Sequence, residues 1–257
     1  MKILFIGDIV ARPGREVVKE VLPNIIKKQK IDLVIANAEN LAHGRGATKD
    51  TIKEMLDAGV NYFTSGDHIF WQHSFEDEID SLPVLRPANF PGDLPGKGYT
   101  LIDAGKNGQI LLINLLGRVF LNERLDDPFR KADEILNLFL DDDQIKYKII
   151  DFHAECSSEK YAFAYYMDGR VDAVVGSHTH VPTCDNIVLP SKTLYISDIG
   201  MTGIIDSVLG VKNDIIIQYY LSGLNQKFEW ENTGRKAFRS VILDTVLNTI
   251  ERFDNIL

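Results

Sequence analysis

KILFIGD, residues 2–8, is an apolar run that stops at a glycine and a carboxylate. LVIANAEN at 33–40 and NYFTSGDH at 61–68 repeat the pattern, and each reads as a buried strand ending in polar side chains. The connectors read as helices. Residues 14–28 carry Val17, Val18, Val21, Leu22, Ile25 and Ile26 at helical spacing with lysines on the other face, and residues 48–58 form a shorter version. Strand and helix in alternation mark βαβ units and an α/β fold.

Further along, the segment RPANFPGDLPGKG at 86–98 is so rich in proline and glycine that it reads as an ordered surface loop. YTLIDA (99–104) and ILLINLL (110–116) are expected as two strands around a turn at 105–108, followed by a helix over 128–140 whose solvated end is the acidic run 141–143. KIIDFHAE (148–155) and DAVVGSHTH (172–180) are again apolar runs ending in polar residues, with a helix expected over 157–167 between them. KFEWEN (227–232) and AFRSVILDTV (237–246) read as antiparallel strands. With no internal repeat or low-complexity tract, residues 1–257 are expected to form a single mixed α/β domain.

Composition narrows the function. Hydrophobic residues make up 45% of the chain and charged residues 25%, so a large core is available and a disordered majority is excluded. A formal charge of −9 with no basic stripe argues against bulk nucleic acid as a partner. It leaves room for a small phosphate ester if cations sit in a cleft, because a bound ion dominates its local field. Two cysteines, Cys156 and Cys184, are too few for a disulfide framework or a thiolate zinc site, which points to a reducing cytoplasm. Gly7 and Asp8 interrupt the first apolar run and no small-residue cleavage site follows, so it is expected to be a strand and not a leader. No stretch approaches the roughly eighteen apolar residues of a membrane span.

The chemistry sits at strand ends. Five runs close on oxygen or imidazole side chains: Asp8, Glu39 with Asn40, Asp67 with His68, His153, and His178 with His180. In open α/β sheets the ligand crevice lies at the carboxyl ends of the strands, so these ends should converge. Taken singly, Asp8 is an ordinary turn or cap residue and His153 an ordinary core histidine. GSHTH is more telling, since an extended chain would put two imidazoles on one side. Burying so many polar groups together is costly unless they pair or coordinate metal. Carboxylate and imidazole donors without thiolate suit iron, manganese or zinc and do not choose among them, and magnesium is also compatible. His43 and His73 lie in loop-like segments, and HGRGAT lacks the lysine of a phosphate-binding loop.

The residues GD at 7–8, SGDH at 65–68, FH at 152–153 and GSHTH at 176–180 resemble the calcineurin-like metallophosphoesterase superfamily, closest to its YmdB-like branch of bacterial cyclic-nucleotide phosphodiesterases. FIGDIVARPGR, AENLAHGRG and LDDPFRKADE extend the resemblance over nearly the whole chain. It implies a four-layer α/β/β/α sandwich with mixed sheets and two metal ions per chain. By position, Asp8, Asn40 and His180 would hold one metal and Asp67, His153 and His178 the other, with Glu39 bridging and His68 beside the substrate. The implied reaction is hydrolysis of small phosphodiesters such as 2′,3′- and 3′,5′-cyclic nucleotides by a hydroxide shared between the metals. Homo-oligomers occur in such families, though no interface can be read here. Two departures stand out. Val10 occupies the place of a histidine in the wider superfamily, and Asp67 stands where the motif usually has asparagine, adding negative charge opposite an anionic substrate. The competing reading is a metal-binding regulatory or scaffolding protein with incidental hydrolase activity.

Overall fold

The structure, a computed structural model, describes residues 1–121 and 124–257. A five-stranded sheet runs in the order β14 (Thr249–Arg252), β13 (Ser240–Asp244), β1 (Lys2–Ile6), β3 (Leu33–Asn37), β4 (Tyr62–Thr64). A six-stranded sheet runs β5 (Tyr99–Asp103), β6 (Gln109–Leu116), β7 (Ile145–His153), β8 (Ala173–Ser177), β10 (Leu194–Ile196), β9 (Ile187–Val188). A small sheet joins β15 (Asn255–Ile256), β12 (Lys236–Phe238), β11 (Met201–Ile204) and β2 (Asp8–Ile9). The helices are α1 (Ala11–Gln29), α2 (Lys49–Asp57), α3 (Phe75–Glu78), α4 (Pro128–Leu138), α5 (Ser157–Met167) and α6 (Asn213–Ser222).

The period-two alternation of strand side chains sorts the core into three layers. From β1 and β3, Leu4, Ile6, Val34 and Ala36 pack on α1 and α2, whereas Ile3, Phe5, Leu33 and Ile35 turn to the second sheet. From that sheet Ile110, Leu112, Ile149, Ala173 and Val175 complete the seam. Leu111, Ile113, Ile150, Phe152 and Val174 face α4 and α5 on the far side. The result is the four-layer sandwich with mixed sheets. Strands covered on both faces read as continuous apolar runs, which is why they are so plain in the sequence. Each such side chain contributes roughly 1.5–3 kcal/mol of burial.

Local chemistry sets the helix ends. Thr48 caps α2 in a reciprocal capping box with Thr51. Asp127 accepts from the backbone N–H groups of Phe129 and Arg130 at the start of α4, with Pro128 in the first turn.

Three expectations need correction. KFEWEN is not a strand: among the described residues Trp230 makes one isolated antiparallel bridge with Val211, closed by Lys212 N–H to the Glu229 carbonyl and Glu231 N–H to the Gly210 carbonyl. AFRSVILDTV divides at Arg239 into β12 and β13, which join different sheets; β13 pairs antiparallel with β1 and β14. GSHTH does not continue as extended chain. β8 stops at Ser177, and His178 and His180 take positive φ values of 101° and 64°.

Candidate active site

The candidate residues come from both large sheets. Asp8 follows β1, Glu39 and Asn40 follow β3, and Asp67 and His68 follow β4; His153 ends β7, and His178 and His180 follow β8. These strand ends meet. Glu39, Asp67, His153 and His178 each bring one donor atom to within 4.8 Å of the others. His153 Nε2 lies 3.2 Å from Glu39 Oε2, 3.5 Å from Asp67 Oδ1 and 3.0 Å from His178 Nδ1. Asp8, Asn40 and His180 adjoin this group. The backbone N–H of His178 donates to Asp8 Oδ2 at 3.3 Å, and Asn40 Nδ2 bridges Glu39 Oε1 (3.0 Å) and His180 Nε2 (3.2 Å). Asn40 thus presents its amide nitrogen, and serving a cation would require the amide to turn and present Oδ1.

Each of three imidazoles has its far nitrogen committed. The carbonyl of Leu209, an acceptor only, lies 3.2 Å from His180 Nδ1, so the proton sits there and the Nε2 lone pair accepts from Asn40 Nδ2. Ser177 is the register partner of His153; its hydroxyl donates to Asp151 Oδ1 at 2.7 Å and accepts from His153 Nδ1 at 2.8 Å. That leaves Nε2 of His153 aimed at Glu39 and Asp67. Glu155 Oε2, 3.1 Å from His178 Nε2, fixes the third ring with Nδ1 inward. Carboxylate, hydroxyl or carbonyl partners on the outer nitrogen are how metal-ligating histidines are oriented.

Charge follows the same geometry. Burial opposes a charge on His153, but the Glu39 carboxylate, then the accepting oxygens of Asp67 and Glu39 beside its Nε2, hold its pKa well above the usual imidazole value. Glu39 is held well below the carboxylate range by His153 and His68 against the cost of burial. Burial, and then the charge of His153, depress His178 to about 4, leaving a neutral ring near neutral pH. Burial raises Asp8 to about 6. Asp8 Oδ1, Asp67 Oδ1 and His68 Nδ1 are buried with no hydrogen-bond partner among the described residues. Unpartnered carboxylate oxygens beside inward lone pairs form a cradle that fits a cation, and leaving them bare is costly.

The histidine turn is clamped from behind. Asp198 Oδ2 accepts from Thr179 N at 2.9 Å and from Lys160 Nζ at 2.8 Å, while Oδ1 accepts from Gly200 N at 2.8 Å. Lys160, itself buried, also donates to the Ser177 carbonyl at 2.8 Å. This network holds the two positive-φ histidines, conformations that cost of order 1–3 kcal/mol each. Sequence reasoning assigned no role to Asp151, Glu155, Lys160, Ser177 or Asp198; polar residues inside apolar runs (Asp151 in IIDFH, Asp198 in YISDIG) were the available signal. It also passed over Gly66, which lies beside Glu39 and His153. His43 does not line the cleft above the cradle, whose volume is about 300 Å³.

Fold and donor set together define a metallophosphoesterase. The chain belongs to the YmdB-like protein family, whose family model matches residues 4–254. It is 45% identical over 246 residues, 95% of this chain and 91% of the relative, to the 2′,3′-cyclic-nucleotide 2′-phosphodiesterase of Bacillus subtilis (strain 168). A crystal structure of a hypothetical protein from Thermus thermophilus superposes with TM-score 0.91 at 36% identity, covering 100% of this chain and 99% of that one. That of a novel phosphatase from Mycoplasma pneumoniae gives TM-score 0.89 at 31% identity, covering 100% and 92%. The chain is thus a hydrolase of the phosphodiesterase type with a cluster able to hold metal. Among the described residues no helix is long and apolar enough to cross a membrane.

Proposed function

We propose that this protein hydrolyses small phosphodiesters, 2′,3′-cyclic nucleotides foremost and 3′,5′-cyclic nucleotides as well, with two metal ions in the cradle. The observation that supports this best is the set of three imidazoles, His153, His178 and His180, whose outer nitrogens are occupied while their inner nitrogens turn toward a buried cluster in which Asp8 Oδ1 and Asp67 Oδ1 have no partner among the described residues. Asp67, His153 and His178 would hold one ion, Asp8, His180 and a turned Asn40 the other, and Glu39 would lie between them. The donors suit iron or manganese. When bound, the ions lower the pKa of water and neutralise charge on the phosphoryl oxygens.

The chain's own residues supply the rest. His68 is more exposed than His153 and His178, and its Nε2 lies 3.3 Å from Asp67 Oδ2. Burial opposes its charge, but Glu39, 3.5 Å from Nδ1, and then Asp67 raise its pKa, so a proton is at hand near neutral pH. In hydrolysis of a cyclic phosphate, water oxygen bonds to phosphorus and gives up one proton to solvent, the P–O bond to one ribose oxygen breaks, and His68 gives its proton to that oxygen. Elemental analysis of the purified protein, paired with hydrolysis of 2′,3′-cyclic AMP under added manganese, tests the proposal. About two ions per chain with metal-dependent turnover are expected. Two ions without turnover would favour the regulatory reading, and no metal after reconstitution would overturn the ligand assignment.

A further inference from the structure

The cleft above the cradle has two unlike surfaces. Its floor is polar, with Glu39, Asn40, His68, His178 and His180; its flank is Leu209, Tyr219, Phe228 and Trp230, with Arg45 at the rim. A cyclic phosphate seated on that floor would leave the flank uncovered. The aromatic flank is not spare core, because Phe228 remains 38% exposed. Trp230 is seated closely on the backbone, where a Cβ at Gly44 would lie 2.0 Å from the indole. The guanidinium carbon of Arg45 lies 4.9 Å from the ring centroid of Trp71 and 5.6 Å from that of Phe228. Trp71 in turn meets the His68 ring edge-on, centroids 5.8 Å apart. Arg45 is the one Lys or Arg among the residues lining this cleft, and no carboxylate pairs with it among the described residues. An edge-on aromatic contact and a delocalised cation lying over two rings therefore link His68 to the flank.

We propose that Tyr219, Phe228 and Arg45 form the nucleobase subsite of this cleft. A phosphate on the floor leaves the base of the same nucleotide to reach the flank. Every base has a π face, and aromatic side chains bind such faces with little regard to which base it is. Arg45, already lying over aromatic rings, keeps its N–H edge for acceptors on the base. Larger purine faces should bind better than pyrimidines. A sugar phosphate without a base gains nothing from these rings. The inference rests on the phosphodiesterase reading and says which part of the substrate supplies its affinity.

The test compares 2′,3′-cyclic AMP with the 2′,3′-cyclic phosphate of methyl riboside, which has the same reacting ring and no base. In the wild-type protein, kcat/KM should favour the nucleotide by about tenfold or more, the effect of one stacked base. Phe228→Ala should erase most of that preference while the base-free rate stays within about twofold, and Phe228→Tyr should retain it. An undiminished preference in Phe228→Ala overturns the subsite. Calorimetric binding of 3′-AMP and of ribose 3-phosphate needs no turnover. If neither cyclic phosphate is hydrolysed, the hydrolase reading falls. The subsite then stands if 3′-AMP binds about tenfold more tightly than ribose 3-phosphate and Phe228→Ala abolishes the difference, and falls if it does not.

Discussion

Gly66 and Glu39 share a space that only a hydrogen can enter: a Cβ on Gly66 would lie 2.1 Å from Glu39 Oε2 and 2.3 Å from His153 Nε2. The glycine at 66 is there for room. Gly66→Ala should keep its far-ultraviolet circular dichroism yet lose bound metal, with activity down by about 100-fold or more. Elemental analysis and phosphodiesterase assays check this; full metal content in the variant would contradict it.

Lys160 and Asp198 form a buried pair behind the histidine turn, 2.8 Å apart with side chains 2% and 1% exposed. Lys160→Met removes the cation and leaves a buried carboxylate with only backbone donors. The loss should be about 3 kcal/mol. In a chain of this size that lowers the melting temperature by roughly 6–12 °C. An unchanged melting curve would show that the pair does not hold the turn.

Two protons oppose metal entry. Asp8, buried, keeps one up to about pH 6, and His153, beside Glu39, keeps one well above its ordinary value of 6.5. His178, depressed to about 4, keeps none in this range. Affinity for manganese should therefore rise with pH, by about tenfold per unit above pH 6 and more steeply below it. Titrations in buffers of different ionisation heat should count about two protons released per chain near pH 5, when both ions load, and about one near pH 7. Asp8→Asn should remove the acidic limb. The sign also holds for the metal-free fold. A carboxylate raised on folding adds stability below 3.8, and that contribution is lost as pH climbs through about 6.

His68→Ala should leave metal content intact and lower kcat by about 10²- to 10⁴-fold, the usual value of a positioned proton donor. Equal loss of metal would make His68 a ligand instead. Asp67→Asn removes a negative charge 3.3 Å from His68 Nε2. It should lower KM for an anionic diester while both ions remain, read by steady-state kinetics alongside elemental analysis.

The strand ends were legible because a strand covered on both faces is written as an unbroken apolar run, and the first polar residue after it marks the crevice. Asp8, Glu39, Asp67, His153 and His178 could be named that way. The limits of α5, Ser157–Met167, followed from its place between two strand-like runs. The helix α6 was missed because NDIIIQYYLS is apolar around most of its circumference and shows no period. Nothing in the side-chain pattern announces the positive φ of His178 and His180, a backbone property imposed by tertiary contacts. Lys160 and Asp198 are 38 residues apart, so their pairing exists only once the six-stranded sheet has formed. The splitting of AFRSVILDTV at Arg239 was equally invisible, since both halves are apolar and only the small sheet's need for β12 separates them.

Glu39 extends from one sheet of the sandwich and His153 from the other, across the seam of Ile3, Phe5, Ile35 and Ile149. A cation gripped by both would rivet the halves together, so its occupancy becomes a gauge of how firmly they are docked. Trimming a methyl group deep in the seam should be felt as weaker metal uptake, and chelation as faster hydrogen exchange in strands that touch no ligand.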